Sequence, residues 1–112
     1  MPQQECHQLV LCTCPDQDTA QNIANHLVDN ALAACVNILP GVLSVYRWQG
    51  NRESTQEHLL LIKTRNEVYD TLEKAICELH PYELPEVIAV PVENGLAAYL
   101  EWIDQQTAII NH

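Results

Sequence analysis

The sequence HPYELPE occupies residues 80–86 and separates two different hydrophobic patterns. Before it, apolar residues recur at helical spacing. After it, residues 87–90 read Val-Ile-Ala-Val, which is typical of a buried strand. Pro81 and Pro85 fix the backbone at two points and bias the residues before them towards extended conformations. We interpret the stretch as a stiff helix-to-strand connector with a polar side-chain set, which either only shapes the fold or carries function, as loops often do.

Length and charge restrict the classes of protein that this chain can be. With 112 residues, residues 1–112 are expected to form one domain with a single core. Acidic residues outnumber basic ones by 15 to 5, and the formal net charge of −10 argues against a nucleic-acid partner. No apolar run approaches membrane-spanning length, and the first five residues lack the regions of a signal peptide. We therefore expect a cytoplasmic protein that binds neither membrane nor nucleic acid.

The cysteines are expected to be free thiols, because their number is odd and no export signal is seen. We expect Cys12 and Cys14 to point to opposite faces of the first strand, where they could not readily share one metal ion. The absence of a C-x-x-C pair argues against a zinc ribbon and a redox dithiol. The five cysteines are Cys6, Cys12, Cys14, Cys35 and Cys77.

The first half of the chain is predicted to begin with a strand over residues 7–14 and then a helix. Asp16 or Asp18 could cap the start of that helix. Asn30 could adopt the left-handed conformation that ends it, or residues 31–34 could carry the helix further. A second strand follows from Cys35, and we expect a bulge or bend where Pro40 and Gly41 interrupt it.

A long hairpin is predicted next, with a turn at residues 49–51 and a returning strand over about residues 53–64. Its arms are long for so small a domain, so their outer ends are expected to overhang the core. An overhanging edge that carries Tyr46 and Trp48 invites pairing with another copy of the chain.

The second half repeats the pattern of helix and strand. Asn66 could cap a second helix, a strand is predicted over residues 87–92, and a short helix follows. The order β-α-β-β-α-β predicts an α+β, ferredoxin-like (split β-α-β) fold, with one antiparallel sheet and helices on one face. The strands read apolar on both faces, so we expect another subunit to cover the bare face. The apolar positions of the second helix are Val68, Tyr69, Leu72, Ala75, Ile76 and Leu79.

Six short motifs follow one another between about His7 and Trp102. They are LCTCPD at 11–16, AACVN at 33–37, YRWQG at 46–50, LIKT at 61–64, HPYELPE at 80–86 and YLEW at 99–102. Each motif is weak alone. As a set, in this order and at this spacing, they resemble the CutA family of divalent-cation tolerance proteins.

The resemblance implies a cytoplasmic, ferredoxin-like homotrimer, similar in architecture to the PII signalling proteins, with a role in tolerance of copper and other divalent metals. It also implies a copper site formed by a cysteine of the first strand and two adjacent histidines before Pro-Tyr. In this chain the cysteine corresponds to Cys12 and the second histidine to His80. Leu79 stands at the position of the first histidine, so one ligand of the family's set is missing.

Thiolate and imidazole are ligands that suit copper. We therefore expect Cys12 and His80 to bind copper weakly, with a carboxylate such as Glu83 or a neighbouring subunit completing the shell. The alternatives are that Cys12 is a small buried hydrophobe and that His80 hydrogen-bonds a nearby carbonyl.

Two functional classes remain open at this point. One is metal binding in the service of tolerance, and the other is a PII-like signalling or small-ligand module that uses clefts between subunits. An enzymatic function is supported less than these two classes, because the chain has three glycines, no nucleophile motif and no phosphate-cradling glycine loop. We therefore predict a protein that is not an enzyme.

Overall fold

The computed structural model describes residues 7–108, which form a four-stranded antiparallel sheet in the order β2-β3-β1-β4. This arrangement confirms the predicted α+β, ferredoxin-like fold. The prediction of one domain over residues 1–112 also covers ends that lie outside the described part. The elements are β1 His7–Cys14, α1 Gln17–Asp29, β2 Cys35–Trp48, β3 Asn51–Arg65, a 3-10 helix Asn66–Val68, α2 Tyr69–Leu79, β4 Ile88–Val92 and α3 Ala97–Gln106.

The core lies between one face of the sheet and the helices α1 and α2. Side chains of a strand alternate between its two faces, so Val10 and Cys12 of β1 pack beside Leu60 and Ile62 of β3. Burying each large aliphatic side chain stabilises the fold by about 1.5–3 kcal/mol. From the helices come Ile23, Leu27, Leu72 and Ile76, all fully buried.

The boundaries of α1 confirm one prediction and correct another. Asp16 is the cap, and its Oδ1 accepts a 2.8 Å hydrogen bond from the Thr19 N–H. The left-handed residue after the helix is Ala31, with φ of 59°, whereas Asn30 has φ of −102°. The prediction for Asn30 is therefore wrong by one residue. The side-chain amide of Asn30 instead donates to the carbonyl of His26, which ends the helix without a left-handed asparagine.

The start of α2 also differs from the prediction. Asn66 begins the 3-10 helix, and α2 begins at Tyr69 with no side-chain hydrogen bond from its cap residue Val68. The prediction that Asn66 caps α2 is wrong, because the 3-10 turn leads directly into the α-helix and replaces a capped start.

The hairpin of β2 and β3 has the predicted bulge and overhang. The pairing shifts between Leu39 and Val42, around Gly41 with φ of 77°. At the tip, Gln49 and Gly50 both have positive φ, as a type I′ turn requires. Strand β1 pairs with β3 only as far as His58, so residues 51–57 of β3 pair with β2 alone and extend beyond the rest of the sheet.

The second face of the sheet is only partly covered. Helix α3 covers one end of it, where His7 Nε2 lies 2.9 Å from Asp104 Oδ1 and Arg65 donates a 2.8 Å hydrogen bond to the hydroxyl of Thr107. Further along the same face, Ile88 is 52% exposed and Val90 is 45% exposed. A single chain thus leaves an apolar strand surface in contact with water, as the sequence predicts.

Candidate functional site

The loop after α2 is anchored to the end of β1 by His80. The imidazole Nε2 donates a 2.7 Å hydrogen bond to the backbone carbonyl of Thr13, and Nδ1 accepts a 3.1 Å hydrogen bond from the Tyr82 N–H. Because a backbone N–H can only donate, these partners define a neutral ring that carries its proton on Nε2. Only 7% of His80 is exposed, so the loop begins from a fixed, buried point.

Three potential metal ligands lie together at this point. One ligand atom from each of Cys12, Cys14 and His80 lies within 4.8 Å of the other two, and all three residues are buried. The expectation that Cys12 and Cys14 point to opposite faces is wrong, because side chains two residues apart in a strand share a face. Both thiols point into the core beside His80. The C-x-C spacing was the signal that could have identified Cys14 from the sequence.

The two thiols do not behave alike. Hydrogen bonding to Cys14, followed by burial, raises the pKa of the Cys12 thiol. The same hydrogen bond from Cys12 lowers the pKa of Cys14, although burial opposes this change. This hydrogen bond favours a thiolate at Cys14, and the thiolate is the form of cysteine that binds metals.

The cluster differs from the ligand set that the family resemblance implies. Leu79 is half-buried and packs against the core, so no ligand comes from its position. Glu83 is exposed and does not belong to the cluster. Cys14 is the residue that stands within reach as a third ligand. For one ion to take all three, His80 must give up one of its two hydrogen bonds.

A cleft of about 830 Å³ lies on the other side of Thr13. Residues 44–48 of the overhanging hairpin line one wall, and residues 81–84 of the loop line the opposite wall. Glu57 also lines it, and its Oε2 accepts a 2.7 Å hydrogen bond from the Tyr82 hydroxyl. Burial, followed by this hydrogen bond, raises the pKa of Tyr82, so its hydroxyl stays protonated and donates at neutral pH.

The fold and the buried ligands together define a class: a small ferredoxin-like α+β protein with a soft-ligand cluster where β1 meets the loop after α2. The family model described as CutA1 divalent ion tolerance protein matches residues 8–106. The chain belongs to this family, which confirms the resemblance seen in its motifs.

Two relatives agree with this assignment. The divalent-cation tolerance protein CutA of Thermus thermophilus is 45% identical over 100 residues, which are 89% of this chain and 97% of that protein. Protein CutA, chloroplastic, of Arabidopsis thaliana is 43% identical over 99 residues, which are 88% of this chain and 54% of that protein. The chain thus spans nearly the whole bacterial relative and about half the length of the plant relative.

Solved structures confirm the fold. CutA of Xylella fastidiosa is similar with a TM-score of 0.89 and 49% identity, over 91% of this chain and 98% of that one. A protein of Archaeoglobus fulgidus, described as a periplasmic divalent cation tolerance protein, has a TM-score of 0.89 and 35% identity, over 91% of this chain and 99% of that one. Within residues 7–108, no helix is long and apolar enough to cross a membrane.

Proposed function

We propose that this member of the divalent ion tolerance family binds copper through Cys12 and His80, with Cys14 as a third ligand, and serves metal tolerance rather than catalysis. The observation that carries the proposal is the convergence of the three ligand atoms within 4.8 Å in a buried position. A ligand set of two thiols and one imidazole favours copper among the available metals, and zinc is the main competitor. Other divalent cations bind such a set more weakly.

Binding is expected to be weak, for two reasons that come from the surroundings of the ligands. A metal ion must displace either the Thr13 carbonyl or the Tyr82 N–H from His80. It must also displace the proton of Cys12, whose pKa is raised by Cys14 and by burial. Both changes reduce the net free energy of metal binding.

Titration of the reduced protein with copper and with zinc, against a competing chelator, tests this proposal. Replacement of Cys12 or His80 by alanine should weaken copper binding, and Leu79→His should strengthen it by restoring a ligand. The matched controls are Cys77→Ser and His26→Ala, because both residues are exposed and lie outside the cluster. If Cys12→Ala and Leu79→His both leave copper affinity unchanged, the proposed copper site is refuted.

We also propose that the chain forms a homotrimer. Support comes from the uncovered apolar face of the sheet and from the overhanging hairpin, whose outer edges have unpaired backbone groups. An interface on this surface would be apolar and backbone-mediated, since three copies would carry a formal charge of 3 × (−10) = −30.

A cytoplasmic location is proposed on the chemistry of the cysteines. Among residues 7–108 all four cysteines are free, which suits a reducing compartment. Relatives are named for the chloroplast and the periplasm, so location varies within the family. Fractionation of cells that express the tagged protein would test it, and recovery in an exported fraction would contradict it.

The second candidate function is a PII-like signalling or small-ligand module that uses clefts between subunits, with an indirect effect on metals. The observation that favours it is the cleft lined by the hairpin and the loop, which has the volume of typical small-molecule sites. The copper titration separates the two candidates, because a cleft module needs no metal at Cys12 and His80.

A further inference from the structure

Glu57 is a charged residue in an unusual position. It is only 5% exposed, although Glu is almost never buried so completely unless it is paired. Its carboxylate accepts a hydrogen bond from the neutral hydroxyl of Tyr82. The ion pairs found within residues 7–108 join His7 to Asp104 and Arg65 to Glu67, so none of them supplies a cation to Glu57.

The charges on the cleft walls have the same sign as Glu57. Glu83 and Glu86 of the loop also line the cleft, and the single basic side chain of the lining is Arg47. A concave surface with three carboxylates and one guanidinium attracts cations and repels phosphate groups. This balance disfavours nucleotides as occupants.

Aromatic side chains complete the walls. Tyr46 and Trp48 are two residues apart on β2, so they lie on one face of the strand and both line the cleft. The Tyr46 hydroxyl is 2.9 Å from the Thr55 hydroxyl oxygen, which restrains the ring. Both aromatic residues are about two-fifths exposed in the single chain. They belong to the hairpin that is proposed above to contact another subunit, so in the oligomer the cleft would lie at that contact. Aromatic faces attract ammonium groups, and Trp does so best.

We propose that this cleft binds a small organic cation, with the Glu57 carboxylate as its counter-charge and Tyr46, whose hydroxyl contacts Thr55 two residues from Glu57, as its aromatic wall. Trp48 lies further along the same face of β2, towards the outer end of the cleft. The proposal rests on the second candidate function and uses no copper ligand, although the cleft shares the His80-anchored loop with the copper site. The ligand class is an amine or quaternary ammonium compound with a short carbon chain. The cleft volume of about 830 Å³ has room for such a molecule.

The test is a fluorescence titration of the intact oligomer with choline and with butylammonium at constant ionic strength. The chain has two tryptophans, so a Trp102→Phe background leaves Trp48 as the reporter. Both cations should give a saturable change in Trp48 emission. The neutral choline isostere 3,3-dimethyl-1-butanol should give none, because it lacks the charge that Glu57 attracts.

Glu57→Gln is the decisive variant, because it removes the charge and keeps an oxygen that can accept from Tyr82. It should weaken choline binding by about tenfold or more, since contacts to charged groups are stronger than neutral ones. Glu93→Gln is the matched control, because Glu93 is exposed and lies outside the cleft lining. Its affinity for choline should equal that of the parent protein.

Three outcomes would overturn the proposal: no saturable signal with millimolar cations, equal binding of the neutral isostere, or unchanged affinity in Glu57→Gln. The first is also the result expected if a basic side chain of a neighbouring subunit fills the cleft. Choline titration of Cys12→Ala tests the two sites separately. Its choline affinity should equal that of the parent protein, because Cys12 is fully buried and lies outside the cleft lining. Failure of the cation site would therefore not refute the copper site.

Discussion

His80 and Thr13 are joined by a 2.7 Å hydrogen bond from the imidazole Nε2 to the backbone carbonyl. Thr13 lies between the two buried cysteines of β1, and His80 immediately precedes the loop that carries Tyr82. One contact therefore connects the cysteine cluster to the wall of the cleft. A metal ion bound to His80 would break one anchor of that loop, so the metal site and the cleft share a structural element.

Loss of the His80 side chain should destabilise the fold. In His80→Ala the carbonyl of Thr13 and the N–H of Tyr82 lose their partner. An unsatisfied buried group such as the Thr13 carbonyl costs about 1–3 kcal/mol, and the half-buried Tyr82 N–H costs less because water can reach it. Urea unfolding at matched protein concentrations would measure the decrease. His26→Ala is the control, because His26 is exposed on α1. Equal unfolding midpoints for the two variants would show that the anchor contributes little.

A charge on the uncovered sheet face should break up the oligomer. Ile88 is 52% exposed in the single chain, so Ile88→Glu is compatible with the fold and incompatible with an apolar interface. Sedimentation equilibrium should show three copies for the parent protein and one for the variant. Val28→Glu is the control, because it also places a carboxylate at an exposed apolar residue. Val28 is 44% exposed and lies on α1, so this variant should remain trimeric. A parent protein that is a stable monomer at micromolar concentration would refute the trimer.

All five cysteines should remain reduced, and their reactivity should follow burial. In a Cys6→Ser background, which removes the cysteine outside the described residues, a maleimide should modify exposed Cys77 first and half-buried Cys35 more slowly. Buried Cys12 and Cys14 should react only after unfolding. Mass spectrometry without reductant gives the readout, and an intramolecular disulfide in the parent protein, which keeps all five cysteines, would contradict the prediction.

The cap of α1 should make stability depend on pH in the acid range. The Thr19 N–H, as a hydrogen-bond donor, lowers the pKa of Asp16 below its ordinary value of 3.8. Because this pKa is lowered, the contribution of the Asp16 carboxylate to stability is fully present above the ordinary value and is lost as the pH falls through the folded-state pKa. Asp16→Asn keeps a cap oxygen without the charge, whereas Asp16→Ala removes both.

The two Asp16 variants should therefore differ from the parent in separate ways. The stability advantage of the parent over Asp16→Asn should shrink below about pH 4, whereas Asp16→Ala should remain less stable at every pH. Urea unfolding between pH 2.5 and 7, at about half-unit steps, would follow both differences. A parent advantage over Asp16→Asn that does not change with pH would contradict the assignment.

Local features of this protein were largely predictable from neighbouring residues. The Asp16 cap, the bulge at Gly41 and the turn at Gly50 each follow from the backbone preferences of the residues present. The predicted helix boundaries at Asn30 and Asn66 are wrong because, at each of them, two alternatives have similar free energies. At the end of α1 the neighbouring Ala31 takes the left-handed conformation, and before α2 a 3-10 helix begins at Asn66. Such small differences decide boundaries and leave the order of elements unchanged.

The sequence by itself determined the order of strands and helices, the two-faced apolar pattern of the sheet and the family, because periodic burial and turn chemistry are written in residues close along the chain. Only the tertiary structure brought Cys14 beside His80 and Glu57 beside Tyr82. These partners are 66 and 25 positions apart in the chain numbering. Their contacts depend on how helix α2 packs on the sheet, a free-energy balance summed over the whole core, which local patterns do not contain.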